Sequence, residues 1–195
     1  GGAGRVTRVT TVTSRHQWKL DRATALGDML FSTAFRILVD GGDVKAVAEI
    51  SDTAVDLARG ELMQRRGAFN TSLEETEYLD RCRLKTARLF EAACVLGRDS
   101  VGGEDSDVVA LFGHRIGLAF QMLDDVLDIA GPVERTGKAR GTDLLDGTVT
   151  LPFIEAAKVD PELRGYDLAS LDETTAEALC DRISATGALD TVRSR

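Results

Sequence analysis

An all-α fold is predicted by three features of this 195-residue chain. Apolar residues recur at helical spacing along most of its length, prolines are scarce, and the one run that could pass for a strand, the N-terminal Val/Thr stretch, has no partner strand to pair with. Gly1 to Ser14 lacks that period, so residues 1–15 are expected to be a disordered or loop-like segment ahead of a single helical domain over 16–195. From about His16 to Val39 the spacing of Leu20, Ala23, Leu26, Leu30, Phe35 and Leu38 predicts a helix that Gly41-Gly42 ends. A second runs from about Asp43 to Arg66, with Val47, Ile50, Ala54, Ala58 and Leu62 on its apolar side. Ser72 and Glu75 predict a capping box for a third helix, Leu73 to about Gly97. The fourth spans about Glu104 to Ala130, and a polar, Gly-rich loop follows over 131–150. Leu151-Pro152 opens a short helix to about Lys158, and Ser170 with Glu173 predicts another capping box and a helix to about Thr186.

Composition narrows the function. The net charge of −8 argues against a nucleic-acid-binding surface. It leaves anionic ligands open, because a bound metal ion inverts the local field. Cys82, Cys94 and Cys180 are odd in number and widely spaced, as expected of reduced thiols in a cytoplasmic protein. No stretch is long and apolar enough to span a bilayer and no signal peptide is visible, so no stable membrane insertion is expected. A nucleotide-binding Gly-rich loop and a G-x-S-x-G elbow are both missing, and His16 and His114 lack metal-ligand spacing.

The chemistry concentrates in the fourth helix. Phe120-Gln121-Met122-Leu123-Asp124-Asp125-Val126-Leu127-Asp128 sets three carboxylates in a run that is apolar on nearly every face, the pattern of a helix buried on all sides. Buried carboxylates are costly without a compensating positive charge. Asp124 and Asp128 lie one turn apart, with Gln121 beside them. Two readings compete: solvated helix-end aspartates ahead of Gly131-Pro132, or a site for a hard, oxygen-seeking cation such as Mg²⁺, which the apolar surroundings favour. Lys85-Thr86 sits in the apolar third helix, where the lysine either snorkels to water or aims a cation at a diphosphate. Lys138 and Arg140 lie in the glycine-hinged loop, which is either a solvated surface loop or a flap closing over phosphate. Glu61 and Gln64 share a helix face that lines a cavity or faces solvent.

These residues resemble the trans-type isoprenyl (polyprenyl) diphosphate synthases. Gly117-Leu118-Ala119-Phe120-Gln121-Met122-Leu123-Asp124-Asp125-Val126-Leu127-Asp128 is similar to that family's second Asp-rich motif. Gly137-Lys138, Gly141, Asp143, Gly147 and Thr150-Leu151-Pro152 follow at the family's spacing, and Lys85-Thr86, Gly60-Glu61, Gly27-Asp28 and Trp18 precede in its order. The resemblance implies an isoprenoid-synthase-type helical bundle around a central cavity, usually dimeric, so a homodimer is expected. It implies condensation of an allylic diphosphate with isopentenyl diphosphate through Mg²⁺-assisted ionisation. Asp124, Asp125 and Asp128 would hold the metal, and Lys85, Thr86, Gln121 and Lys138 the allylic diphosphate, with Asp124, Lys85 and Lys138 carrying catalysis. The family's first Asp-rich motif is absent from these residues and is expected upstream of Gly1, and the last helices are expected to extend beyond Arg195. Thr148 stands where many members carry lysine. Two alternatives stay in view: a non-catalytic subunit or degenerate paralogue partnering an active synthase, and a terpene cyclase of the same fold. The intact Asp124 to Asp128 motif counts against the cyclase.

Overall fold

The computed structural model describes the backbone of residues 3–103, 106–131 and 140–195, and the side chains of 22–103, 107–131 and 140–195. The regular elements among them are all helical, and they form two compact units, Gly1–Ser51 and Asp52–Arg195. The first unit holds α1 (Ala3–Asp40) and the start of α2 (Val44–Arg66). The loop-like segment expected over 1–15 is instead helical from Ala3. No Gly or Pro interrupts Arg5 to Leu26, and Val and Thr cost a helix only a few tenths of a kcal/mol, about 0.7 at most, per residue. The expected domain boundary at residue 15 therefore falls inside one helix. Asp43 caps α2 by accepting the backbone N–H of Ala46 at 3.0 Å.

In the second unit the expected third helix divides into α3 (Glu75–Cys82), a widened π turn (Arg83–Ala87) and α4 (Arg88–Ser100). The Ser72/Glu75 capping box does not form. Asn70 Oδ1 takes the Ser72 N–H, and the Glu75 carboxylate turns away to accept from Lys158 Nζ at 2.8 Å and from the Arg195 guanidinium. Then come α5 (Ser106–Ala130), α6 (Thr142–Leu145), α7 (Leu151–Val159), α8 (Glu173–Ala185) and α9 (Ala188–Arg193). The cap of α8 is Asp172 paired with Thr175, because Ser170 is spent in a preceding 3₁₀ turn where its hydroxyl donates to Asp167 O. The core joins Tyr78 of α3, Val126 and Ile129 of α5, Leu144 of α6, Leu151 and Phe153 of α7, and Leu179 and Ile183 of α8.

The acidic helix α5 is not buried all round. Val126 and Ile129 enter the core, with Leu118 and Met122 partly buried against it, but Leu111, Phe112, Ile116, Phe120, Leu123 and Leu127 are exposed. An apolar run at every helical angle cannot distinguish a helix wrapped by neighbours from one with an open apolar side.

The Glu75 cluster yields a pH prediction. Hydrogen bonds from Arg195 and then Lys158 pull the Glu75 carboxyl down to about 2, well below its ordinary 4.5. The folded form therefore holds its charge more tightly than the unfolded form. That contribution is complete above pH 4.5 and vanishes as pH falls towards 2. Glu75→Gln is expected to lower the thermal midpoint at neutral pH and to flatten its fall through this acid window, read from melting curves at successive pH values.

Candidate functional site

A polar pocket of about 200 Å³ lies where α2, α3, the π turn, α5, α6 and the segment leading into α7 meet. Two close approaches draw its walls together. A Cβ on Gly60 of α2 would stand 2.6 Å from the Lys85 backbone nitrogen, and one on Gly117 of α5 would stand 2.5 Å from the Ala87 Cα. The π turn is thus held between two helices, and it carries Lys85 and Thr86 to the pocket wall. Such one-residue widenings of an α-helix recur at functional sites.

The basic side of the pocket is Lys85. Its ammonium donates to Gln64 Oε1 at 2.7 Å and pairs with Glu61 at 3.0 Å, which holds the Glu61 carboxyl below its ordinary range. Gln64 in turn donates to Thr148 Oγ1 at 3.3 Å. Glu61 and Gln64 therefore orient the lysine, and the Thr148 hydroxyl completes a contact that a lysine at that position would not make in the same way. Arg81, only 5 % exposed, is a second cation at the wall; it donates to Val149 O at 2.8 Å and stacks over the Tyr78 ring. Nothing in its sequence setting distinguished it from the neighbouring arginine, Arg83.

The acidic side holds the three aspartates in three different environments. Asp124 is exposed, lines the pocket, and makes no hydrogen bond or ion pair to another described residue. Asp125 is 2 % exposed and both its oxygens are engaged, Oδ2 by the Tyr78 hydroxyl at 2.7 Å and Oδ1 by Gln121 Nε2 at 2.8 Å. Burial pushes its carboxyl up to about 6, against the opposing pull of these two donors and Arg81. Asp128 is half-buried and turns to the returning loop, where its Oδ2 accepts the Asp143 N–H at 3.2 Å and its carbonyl the Gly141 N–H at 2.9 Å. Gly141 has φ of 71°, which permits this tight return at no side-chain cost.

The chain so returned brings Asp143 into the pocket. Burial, then the charges of Asp128, Asp125 and Asp124, pushes its carboxyl up to about 7. Asp143 was visible only as part of the loop's spacing; helical geometry alone pairs Asp124 with Asp128. Lys138 lies outside the described residues. Thr86 and Gln121 both reach the wall and bond to each other, the Thr86 hydroxyl donating to Gln121 Oε1 at 2.7 Å. A larger groove of about 790 Å³ runs along the apolar side of α5 from Val108 to Leu123 and contains none of these polar groups.

No group of three or more His, Cys, Asp or Glu among the described residues is arranged to hold a metal ion unaided. The donor set nevertheless suits Mg²⁺, which commonly takes one or two carboxylates and completes its shell with water and phosphate oxygens. Asp124 supplies a carboxylate that no other described residue engages, and Asp143 is pushed up first by burial and then by the neighbouring carboxylates, whose repulsion a dication would relieve.

An all-α bundle with this pocket has the isoprenoid-synthase fold. The family described as polyprenyl synthetase matches residues 6–183, and the chain belongs to that family. It is 34% identical over 182 residues to heptaprenyl diphosphate synthase component 2 of Geobacillus stearothermophilus, covering 92% of this chain and 57% of that protein. It is 35% identical over 187 residues to geranylgeranyl diphosphate synthase of Methanosarcina mazei, covering 91% of this chain and 57% of the relative. Among solved structures, polyprenyl synthase of Caulobacter crescentus CB15, complexed with calcium and isoprenyl diphosphate, superposes with a TM-score of 0.84 at 31% identity, over 90% of this chain and 56% of that one. The chain thus spans somewhat more than half the length of each of these three relatives. No described helix is long and apolar enough to cross a membrane.

Proposed function

We propose that the protein is a prenyltransferase that condenses an allylic diphosphate with isopentenyl diphosphate. The observation that carries the reading is Asp124, an exposed carboxylate without a partner among the described residues, on the wall of the pocket that also presents Lys85. In this reading Asp124 holds Mg²⁺, and Asp143, anchored by Asp128, adds charge to the same side. Bound Mg²⁺ supplies positive charge to the departing diphosphate. Lys85, oriented by Glu61 and Gln64, donates to the diphosphate oxygens, and Gln121 and Thr86 line its seat. Lys138, which lies outside the described residues, is assigned to the same diphosphate by the Gly137-Lys138 motif. These donors stabilise negative charge as the C–O bond ionises, so no protein nucleophile is needed. The exposed Phe120 and Leu123, beside Asp124 on α5, offer the prenyl tail an apolar surface away from water.

The working unit in this reading is a homodimer in the reducing cytoplasm, a compartment that suits the three free cysteines. The name of the Geobacillus relative, component 2, favours a second arrangement in which a different subunit takes the partner's place. Light scattering of the purified protein separates a self-associating chain from one that stays monomeric until a partner is added.

The direct test incubates the full-length protein with Mg²⁺, an allylic diphosphate and labelled isopentenyl diphosphate. A longer labelled prenyl diphosphate is expected. Diphosphate release that does not require isopentenyl diphosphate would overturn the condensation, and no turnover of any allylic diphosphate would overturn the reading as a whole. Lys85→Met is expected to raise KM for the allylic diphosphate by about tenfold or more, the scale of one lost charge-assisted contact. An unchanged KM would remove Lys85 from the diphosphate seat.

A further inference from the structure

Four side chains form a hydrogen-bonded series beside the pocket. The Tyr78 hydroxyl donates to Asp125 Oδ2, Gln121 Nε2 donates to Asp125 Oδ1, and the Thr86 hydroxyl donates to Gln121 Oε1. Tyr78 is fully buried and Asp125 nearly so, whereas Gln121 and Thr86 are half-buried. The series therefore begins in the core and ends at the pocket.

Its polarity follows from the acceptor at its centre. A carboxylate only accepts, so Gln121 must present its NH₂ group to Asp125 and its carbonyl to Thr86. The Thr86 hydroxyl is then committed as a donor to Gln121, and the second amide N–H of Gln121 is left for a ligand in the pocket. With Asp125 replaced by a group that can donate, the carboxamide is free to turn over and that N–H is no longer assured. Asp124, the preceding residue, differs on each count: it is exposed and makes no hydrogen bond to a described residue.

We propose that Asp125 is a positioning residue rather than a metal ligand: with Tyr78 it fixes the orientation of Gln121 and Thr86, so that the Gln121 amide donates to a diphosphate oxygen. The inference rests on the reading of this pocket as a Mg²⁺–diphosphate site. Tyr78 shares the role from the core side, since loss of its hydroxyl leaves Asp125 Oδ2 without its donor and the carboxylate free to rotate.

The test separates metal affinity from diphosphate affinity in the full-length protein. Titration calorimetry measures inorganic pyrophosphate binding at saturating Mg²⁺, and Mn²⁺ binding at saturating pyrophosphate is read by electron paramagnetic resonance. Asp125→Asn and Tyr78→Phe are each expected to weaken pyrophosphate by about tenfold, the scale of one hydrogen bond to a charged group. Both are expected to leave Mn²⁺ affinity within about twofold. Gln121→Leu is expected to weaken pyrophosphate similarly, and the double variant Gln121→Leu/Asp125→Asn to bind no worse than Gln121→Leu alone, because Asp125 acts through Gln121. Mn²⁺ affinity that collapses in Asp125→Asn, as in Asp124→Asn, would overturn the proposal and make Asp125 a ligand. Additive losses in the double variant would also overturn it. If Asp124→Asn itself leaves Mn²⁺ and pyrophosphate binding unchanged, the failure lies with the reading of the site. Tyr78→Phe, which keeps the ring in the core, provides the comparison if Asp125→Asn folds poorly.

Discussion

Asp124→Ala in the full-length protein is expected to slow Mg²⁺-dependent release of diphosphate from an allylic substrate by about 10²–10³-fold, the scale on which single electrostatic contributors to a transition state are lost. The helical circular-dichroism signal and the thermal midpoint of the metal-free protein are expected to stay close to the parent values. Both halves follow from one environment. Asp124 is exposed and holds no described partner, so its removal leaves no buried donor unsatisfied and opens no cavity. What disappears is the pocket carboxylate most available to a cation. The neighbouring variant should behave differently: Asp125→Ala strands the Tyr78 hydroxyl and Gln121 amide in low-dielectric surroundings, and the fold itself should loosen. Unchanged turnover of Asp124→Ala at saturating substrate would end its assignment as a metal ligand.

The contrast between these adjacent aspartates marks where sequence reading stopped. Helical periodicity placed α2 and α5 within a few residues, because the apolar spacing is long and regular. Caps were less legible, because several nearby oxygens can serve each helix start: Asn70 Oδ1 takes the Ser72 N–H expected to go to Glu75, and Asp172, not Ser170, caps α8 by accepting the Thr175 N–H. At the site, Lys85, Thr86 and Gln121 stood out as polar residues in apolar helices, and all three line the pocket. The division of labour among the aspartates did not stand out. One-turn spacing puts Asp124 and Asp128 on one face, but the returning loop engages Asp128 and carries Asp143 into the pocket instead. Tyr78 reads as an ordinary core aromatic, and only the fold shows that its hydroxyl reaches Asp125.

The π turn was equally hidden, and the second large effect is expected there. Gly60→Ala and Gly117→Ala should each lower kcat/KM by about 10–100-fold, the order expected when catalytic groups are misplaced by about an ångström. A methyl on Gly60 would meet Lys85 nitrogen at 2.6 Å and its Cα and Cβ at 2.9 Å; on Gly117 it would meet Ala87 Cα at 2.5 Å. The atoms met include backbone on both sides, so no rotamer change relieves the clash and a helix has to move. Moving α2 shifts Gln64 and Glu61 away from Lys85, and moving α5 separates Gln121 from Thr86. Overpacking of this kind costs about 1–3 kcal/mol, against which the better helix propensity of alanine returns only about 0.5–1 kcal/mol. Gly97→Ala is the internal comparison, since that glycine lies within α4 with nothing inside 4 Å of the added methyl. It should be neutral or slightly stabilising and fully active. If all three variants melted and turned over alike, the two close approaches would have no part in setting Lys85 and Thr86. Losses confined to Gly60→Ala and Gly117→Ala would assign that setting to the pinched turn, since the same Gly→Ala change at Gly97 adds a methyl without a neighbour to displace.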